Sequence, residues 1–162
     1  MAELLRGVPF DYEPKRNNRF VAEFADELGI ETWKVQSFKR PSLNINPVEI
    51  PFINETQYVA GRYKWSSLEI SFLDPIGPST SIQLMEWVRL HVESLTGRMG
   101  YAAGYKKNIL LKQLDPTGVE VEKWLLEQCQ ITDIDFGQND MGDDELTMIS
   151  LTIQPWRCIL NF

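Results

Sequence analysis

The stretch Arg40–Arg62, RPSLNINPVEIPFINETQYVAGR, combines eight large apolar residues (Leu43, Ile45, Val48, Ile50, Phe52, Ile53, Tyr58 and Val59) with Pro41, Pro47 and Pro51. Each proline lacks the N–H that a strand interior donates, so the segment is hostile to a central strand. It reads instead as a long extended loop over 40–62. Loops of that length are uncommon inside a compact domain and usually carry function. An apolar one, left exposed, is an adhesive surface. The reading is a segment built to be covered by something else.

Both flanks of this stretch read as β structure. Phe20, Ala22 and Phe24 alternate with Val21, Glu23 and Ala25, and Glu31–Phe38 reads as a second strand, hairpin-paired with the first across the Leu28-Gly29 turn. Downstream, Leu68, Ile70 and Phe72 alternate with Ser67, Glu69 and Ser71. Tyr105–Leu114 and Val119–Gln128 flank Asp115-Pro116-Thr117-Gly118, a strong turn signal, and predict a long hairpin. Ile131–Gly137 and Leu146–Gln154 predict two more strands. One helix interrupts the series: Leu84, Met85, Val88, His91, Val92 and Leu95 recur at helical spacing between a capping-box pattern, Thr80-x-x-Gln83, and Gly97. The expected class is mainly β, a small two-sheet β barrel or sandwich with one flanking α-helix. Residues 1–17, with Pro9, Pro14 and little periodicity, read as an N-terminal arm, and 18–162 as a single domain.

A chain of 162 residues that is 43% apolar and 24% charged has the ordinary globular mix and can bury a real core. Sixteen Lys and Arg against 23 Asp and Glu leave a net charge of −7, which disfavours a grip on nucleic acid or on anionic membrane. No 18-residue apolar run suggests a membrane-spanning helix, and the opening Met1–Arg6 lacks the pattern of a signal peptide, so synthesis inside the cell is expected.

Chemistry is scarce. His91 is the only histidine and lies beside the apolar stripe of the expected helix, where a core or boundary role outweighs catalysis. Cys129 and Cys158, with one histidine, cannot assemble a zinc set. Gly97, Gly100 and Gly104 are misspaced for a phosphate loop and follow a helix instead of opening one. Glu127–Glu145 holds seven acids and no base, yet counting a calcium loop from Asp135 puts Asp140 where glycine is required and Leu146 where the bidentate Glu belongs. No catalytic residue, no metal ligand and no cofactor is expected. The five tryptophans, Trp33, Trp65, Trp87, Trp124 and Trp156, are spread through the chain as core or interface anchors. The pattern is that of a protein that binds proteins.

From about Asn18 to the C-terminus, the order of elements and several short strings resemble the tail tube protein family of contractile-tailed bacteriophages. The strings are Asn18-x-Phe20-x-Ala22-x-Phe24, Pro47-Val48-Glu49-Ile50-Pro51 with Asn54, and Val59-Ala60-Gly61. They continue with Trp65, Ile70 and Phe72, Trp87 on the helix, Tyr105-Lys106, and Ile149–Trp156. The resemblance implies a two-sheet barrel whose copies form homohexameric rings stacked into a tube inside a contractile sheath. The channel would hold the tape-measure protein and later pass the genome without binding it specifically. Sheath, tape-measure and baseplate or terminator proteins are the implied partners, and the implied place is the virion tail, assembled in the bacterial host cytoplasm. Arg40–Arg62 matches the family's ring-stacking loop, with Pro47, Ile50, Pro51, Phe52, Ile53, Asn54, Tyr58 and Val59 as contact residues. An acidic wall suits a conduit for a polyanion, and Glu120 and Glu122 are the candidate channel-facing acids. A tube initiator or terminator, or a tube subunit of a contractile injection or type VI secretion system, would share the pattern. Outside this class stand a small ligand-binding β barrel, with Arg40–Arg62 as a lid and Trp65 or Trp33 lining the cavity, and a metal-dependent hydrolase using the acidic loop.

Overall fold

Alternation in the sequence becomes two faces in the fold, described here from a computed structural model covering residue 7 and residues 9–161. The strands are β1 (Phe20–Glu23), β2 (Val35–Phe38), β3 (Leu43–Phe52), β4 (Glu55–Trp65), β5 (Leu68–Leu73), β6 (Lys107–Leu114), β7 (Glu120–Asp135), β8 (Met148–Gln154) and β9 (Arg157–Asn161). Two helices, α1 (Thr80–His91) and the single turn α2 (Ala102–Tyr105), lie between β5 and β6. Part of the expected N-terminal arm, residues 1–6 and residue 8, falls outside the described residues.

The ladder runs β1-β6-β7-β8-β5-β2, with β9 also paired to β7 and every pairing antiparallel. Strand β7 belongs to two sheets. Its first half pairs with β6 and β9, with Leu125 opposite both Leu110 and Ile159. Its second half pairs with β8, where Ile131 faces Ile153. Between the halves Gln128 takes φ 52° and its N–H donates to Asn108 Oδ1 at 3.0 Å. A left-handed residue at that point redirects the strand from one sheet into the other, as bulges do at sandwich corners. The sequence separates Val119–Gln128 from Ile131–Gly137, but the chain does not break there.

The core fills the space between these sheets. Ala22, Ile109, Leu111 and Leu126 come from one side, and Leu68, Ile70, Phe72, Ile149, Leu151 and Ile153 from the other, all essentially unexposed. Helix α1 adds Leu84 and Trp87, both fully buried, and the Trp87 indole N–H donates to the Tyr105 carbonyl at 2.8 Å. A buried indole with its polar atom satisfied fixes the helix at low cost.

Two local expectations are corrected. The first strand does not pair with Glu31–Phe38: β1 pairs with β6, Thr32–Lys34 forms a 3-10 turn, and β2 pairs with β5. The core faces of β1 and β2 belong to different sheets, so a direct hairpin would place both on one side. Nor is Thr80-x-x-Gln83 a capping box. Asp74 accepts from the N–H groups of Thr80 and Ser81 at 3.0 and 3.4 Å, while Gln83 donates to the Gly29 carbonyl and accepts from buried Lys34. The helix also stops at His91, leaving Leu95 exposed.

Candidate assembly surface

The stretch Arg40–Arg62 is the largest departure from expectation. It is not an extended loop but an ordered antiparallel hairpin, β3 with β4, forming a sheet of its own. Pro47 and Pro51 sit in β3 opposite Ala60 and Thr56. They are four residues apart, so their missing N–H groups fall on one side of the strand. A two-stranded sheet leaves one side of each strand without a ladder, and prolines are tolerated there.

Every residue of β3 is exposed, and all of β4 except Gly61 and Trp65. Cross-strand pairs Val48–Val59, Ile50–Gln57 and Phe52–Glu55 share one face, because directly opposed residues in a ladder point the same way. The other face carries Pro47, Glu49, Tyr58 and Pro51. One face is therefore largely apolar and unburied, with Phe52 69% and Ile50 47% exposed. At the tip, Ile53 (87% exposed) takes φ 52° beside Asn54, a conformation β-branched residues rarely adopt and hold only at a cost. The expected contact residues Pro47, Ile50, Pro51, Phe52, Ile53, Asn54, Tyr58 and Val59 thus all lie on one projecting element. β3 is exposed throughout, while the base of β4, Tyr63–Trp65, borders a cleft of about 370 Å3 that it shares with Gln154–Arg157.

Gly61 marks a built-in constraint. Ladder register shifts between Ile45 and Pro47, and a Cβ on Gly61 would stand 2.6 Å from the Asn46 carbonyl oxygen and 2.9 Å from Val48 Cγ2. Backbone cannot yield as a flexible side chain can, so Gly61→Val is expected to disorder the hairpin while the two-sheet core survives. Hydrogen exchange read peptide by peptide checks it: protection should fall in 43–65 and persist in β5 and β8.

The two candidate channel acids separate. Glu120 is 44% exposed and bound by Lys112 at 2.6 Å. Glu122 is 7% exposed and accepts from Lys15, Arg40 and, at 2.6 Å, the Trp124 indole. Burial works to raise its pKa, but these donors outweigh it and bring the carboxyl down to about 2. As an open channel acid Glu122 is corrected: its charge is spent inside its own subunit, a fact the alternation with Glu120 concealed. The signal available in the sequence was its shared parity with Trp124 and Leu126.

Other sequence candidates resolve locally. Trp33 is half exposed along a cleft of about 810 Å3 between the open edges of β1 and β2, and Trp65 packs edge-on against Trp124. The acids at and after the end of β7 cap local turns: Asp135, Asp140 and Asp143 accept from the N–H groups of Gly137, Gly142 and Glu145. Among the described residues no His, Cys, Asp or Glu side chains converge as a metal site. Cys129 and Cys158 are free and buried, and burial pushes the Cys158 thiol up to about 12.

His91 stacks on Tyr105 and uses both ring nitrogens. Nδ1 is 3.0 Å from the Trp87 carbonyl, and Nε2 accepts the Ile131 N–H at 3.0 Å. That arrangement suits only the neutral ring, and burial lowers its pKa against the opposing effect of the Trp87 carbonyl. The unfolded chain therefore takes the proton first, so stability is full above about pH 6.5 and falls as pH drops toward the folded value. Melting temperature should decline from pH 7.5 to 5.5, and His91→Gln, which can still donate to Trp87 and accept from Ile131, should remove that decline.

No protein-family model and no curated protein sequence matches the chain. Solved structures do. The tube-terminating cap of the anti-feeding prophage superimposes with TM-score 0.76 at 16% identity, covering 99% of each chain. The sheath/tube terminator of the extracellular contractile injection system PVC, in its extended state, gives 0.75 at 14% identity over 94% of this chain and 99% of its own. The SPP1 tail tube gives 0.53 at 10% identity over 91% and 79%. With its bent shared strand, its helix laid on the core through Leu84 and Trp87, and its exposed hairpin, the chain has the tail tube fold, the fold of tube and tube-terminating proteins of contractile injection systems and of a phage tail tube.

Proposed function

We propose that this chain is the structural protomer of a bacteriophage tail tube, built from stacked hexameric rings around a channel for the tape-measure protein and the genome. The observation that carries the reading is the β3–β4 hairpin, an ordered apolar element that adds no fully buried side chain to the core. Ordering an exposed apolar hairpin costs chain entropy that only a partner can offset. A second feature agrees. Strands β1, β2 and β9 each have a single ladder partner among the described residues, and open edges are hazardous unless neighbouring copies pair them.

On this reading the hairpin's contact residues dock against the adjacent ring, sheath and baseplate proteins meet the outside, and the tube resides in the virion tail after assembly in the host cytoplasm. Glu120, the exposed member of the acid pair, is the remaining candidate for the channel wall. The direct test is electron microscopy of the purified protein: rings and tubes of uniform bore are expected, and a monomer at high concentration overturns the reading. The cap and terminator likenesses favour a second reading, a tube terminator. A terminator forms single rings that stop growth, whereas a protomer alone extends without limit.

A further inference from the structure

The hairpin meets the body through its two roots, and both lead to the same carboxylate. Arg40, three residues before β3, donates directly to Glu122. Trp65, the last residue of β4 and the cross-strand partner of Leu43, packs edge-on against Trp124 with ring centres 6.3 Å apart. The Trp124 indole N–H in turn donates to the same Glu122 oxygen that Arg40 reaches. A third element arrives from the other side: Lys15, in the described part of the N-terminal segment, donates to the second oxygen. Chain separations of 82 and 107 residues are closed at one side chain.

Physical chemistry makes this junction all-or-none. Glu122 is 7% exposed, and a carboxylate so buried must be fully paired or it destabilises the fold. Lys15 and Arg40 are themselves about half exposed and would be free to wander without it. The anion organises the cations. The β3–β4 sheet has no ladder to the rest of the molecule, so its direction depends on these root contacts, on the short links to β2 and β5, and on the Gln154 bond to the Trp65 carbonyl at 2.8 Å.

We infer that Glu122 is a positioning residue that clasps the N-terminal segment and both hairpin roots to β7, so that the hairpin leaves the subunit in one direction. Its consequence for assembly rests on the tube-protomer reading, but the clasp itself does not.

The test measures hairpin direction in the full-length subunit, below the concentration at which it assembles. Nitroxide labels at Gln57→Cys on β4 and Glu86→Cys on α1 report the hairpin-to-body distance by pulsed electron resonance, since native Cys129 and Cys158 are buried from the reagent. In Glu122→Gln the distance distribution should broaden about twofold, the mark of an element no longer held in one orientation. Arg40→Gln alone, which leaves β7 untouched and Glu122 still bound by Lys15 and the Trp124 indole, should broaden it in the same direction and carries the test if Glu122→Gln does not fold. A merely stabilising Glu122 would lower the melting temperature of these variants without widening the distribution, and that result overturns the clasp. Failure of the unsubstituted protein to form rings or tubes would instead overturn the tube reading while leaving the clasp measurement intact.

Discussion

Ile50→Asp and Phe52→Asp are expected to leave the subunit folded and to abolish tube formation. Both side chains lie on the exposed apolar face of the hairpin, which touches the core only through Trp65 at its root, so the core loses no packing when they change. At an interface the same positions would be desolvated. Burying an Ile or Phe contributes about 1.5–3 kcal/mol, and forcing an unpaired carboxylate into that place adds a further penalty. A combined loss of about 3 kcal/mol per contact weakens each one more than a hundredfold, and a ring makes the contact once per subunit. Sedimentation should find only unstacked species, with circular dichroism and melting temperature close to those of the parent. Tubes of normal length from both variants would remove the hairpin from the stacking surface.

Trp87→Ala is expected to have the largest effect on the subunit itself. The residue is fully buried and the biggest side chain in the core, and its indole N–H satisfies the Tyr105 carbonyl. Truncation combines a cavity with an orphaned acceptor, and losses of about 3–5 kcal/mol are usual for such a change. For a chain of this size that is a fall of about 10 °C in melting temperature. Assembly would fail too, but with loss of the folded subunit, which separates it from the hairpin variants. A change of only a degree or two would mean that α1 is a dispensable cover.

Much of the architecture was legible as periodicity. Leu68, Ile70 and Phe72 and then Ile149, Leu151 and Ile153 were readable as core faces, and their strands pair with one another in register. The helix was legible too, although its buried residues are Thr80, Leu84 and Trp87 and not the stripe that runs from Leu84 through Met85, Val88 and Val92 to Leu95. Illegible were the features that depend on distant partners. Pro47 and Pro51 argued against a strand because central strands need every N–H, yet β3 has one neighbour only. Gln83 resembled a cap because local spacing allowed it, but Lys34 and Gly29 claim its amide instead. Glu122 looked like a surface acid because nothing near it in sequence shows that Lys15 and Arg40 converge on it.

The sequence by itself determined the class of the fold, the identity of the core faces and the presence of an apolar segment in excess of the core's needs. These follow from the spacing of side chains along a regular backbone, a short-range property. Only the tertiary structure decided that this segment is a hairpin, that β7 serves two sheets, and that one buried carboxylate ties the N-terminal segment to the hairpin root. Each of those depends on which backbone and side-chain groups are left unpaired once the chain has closed on itself, and pairing over a hundred residues is a property of the packed molecule alone.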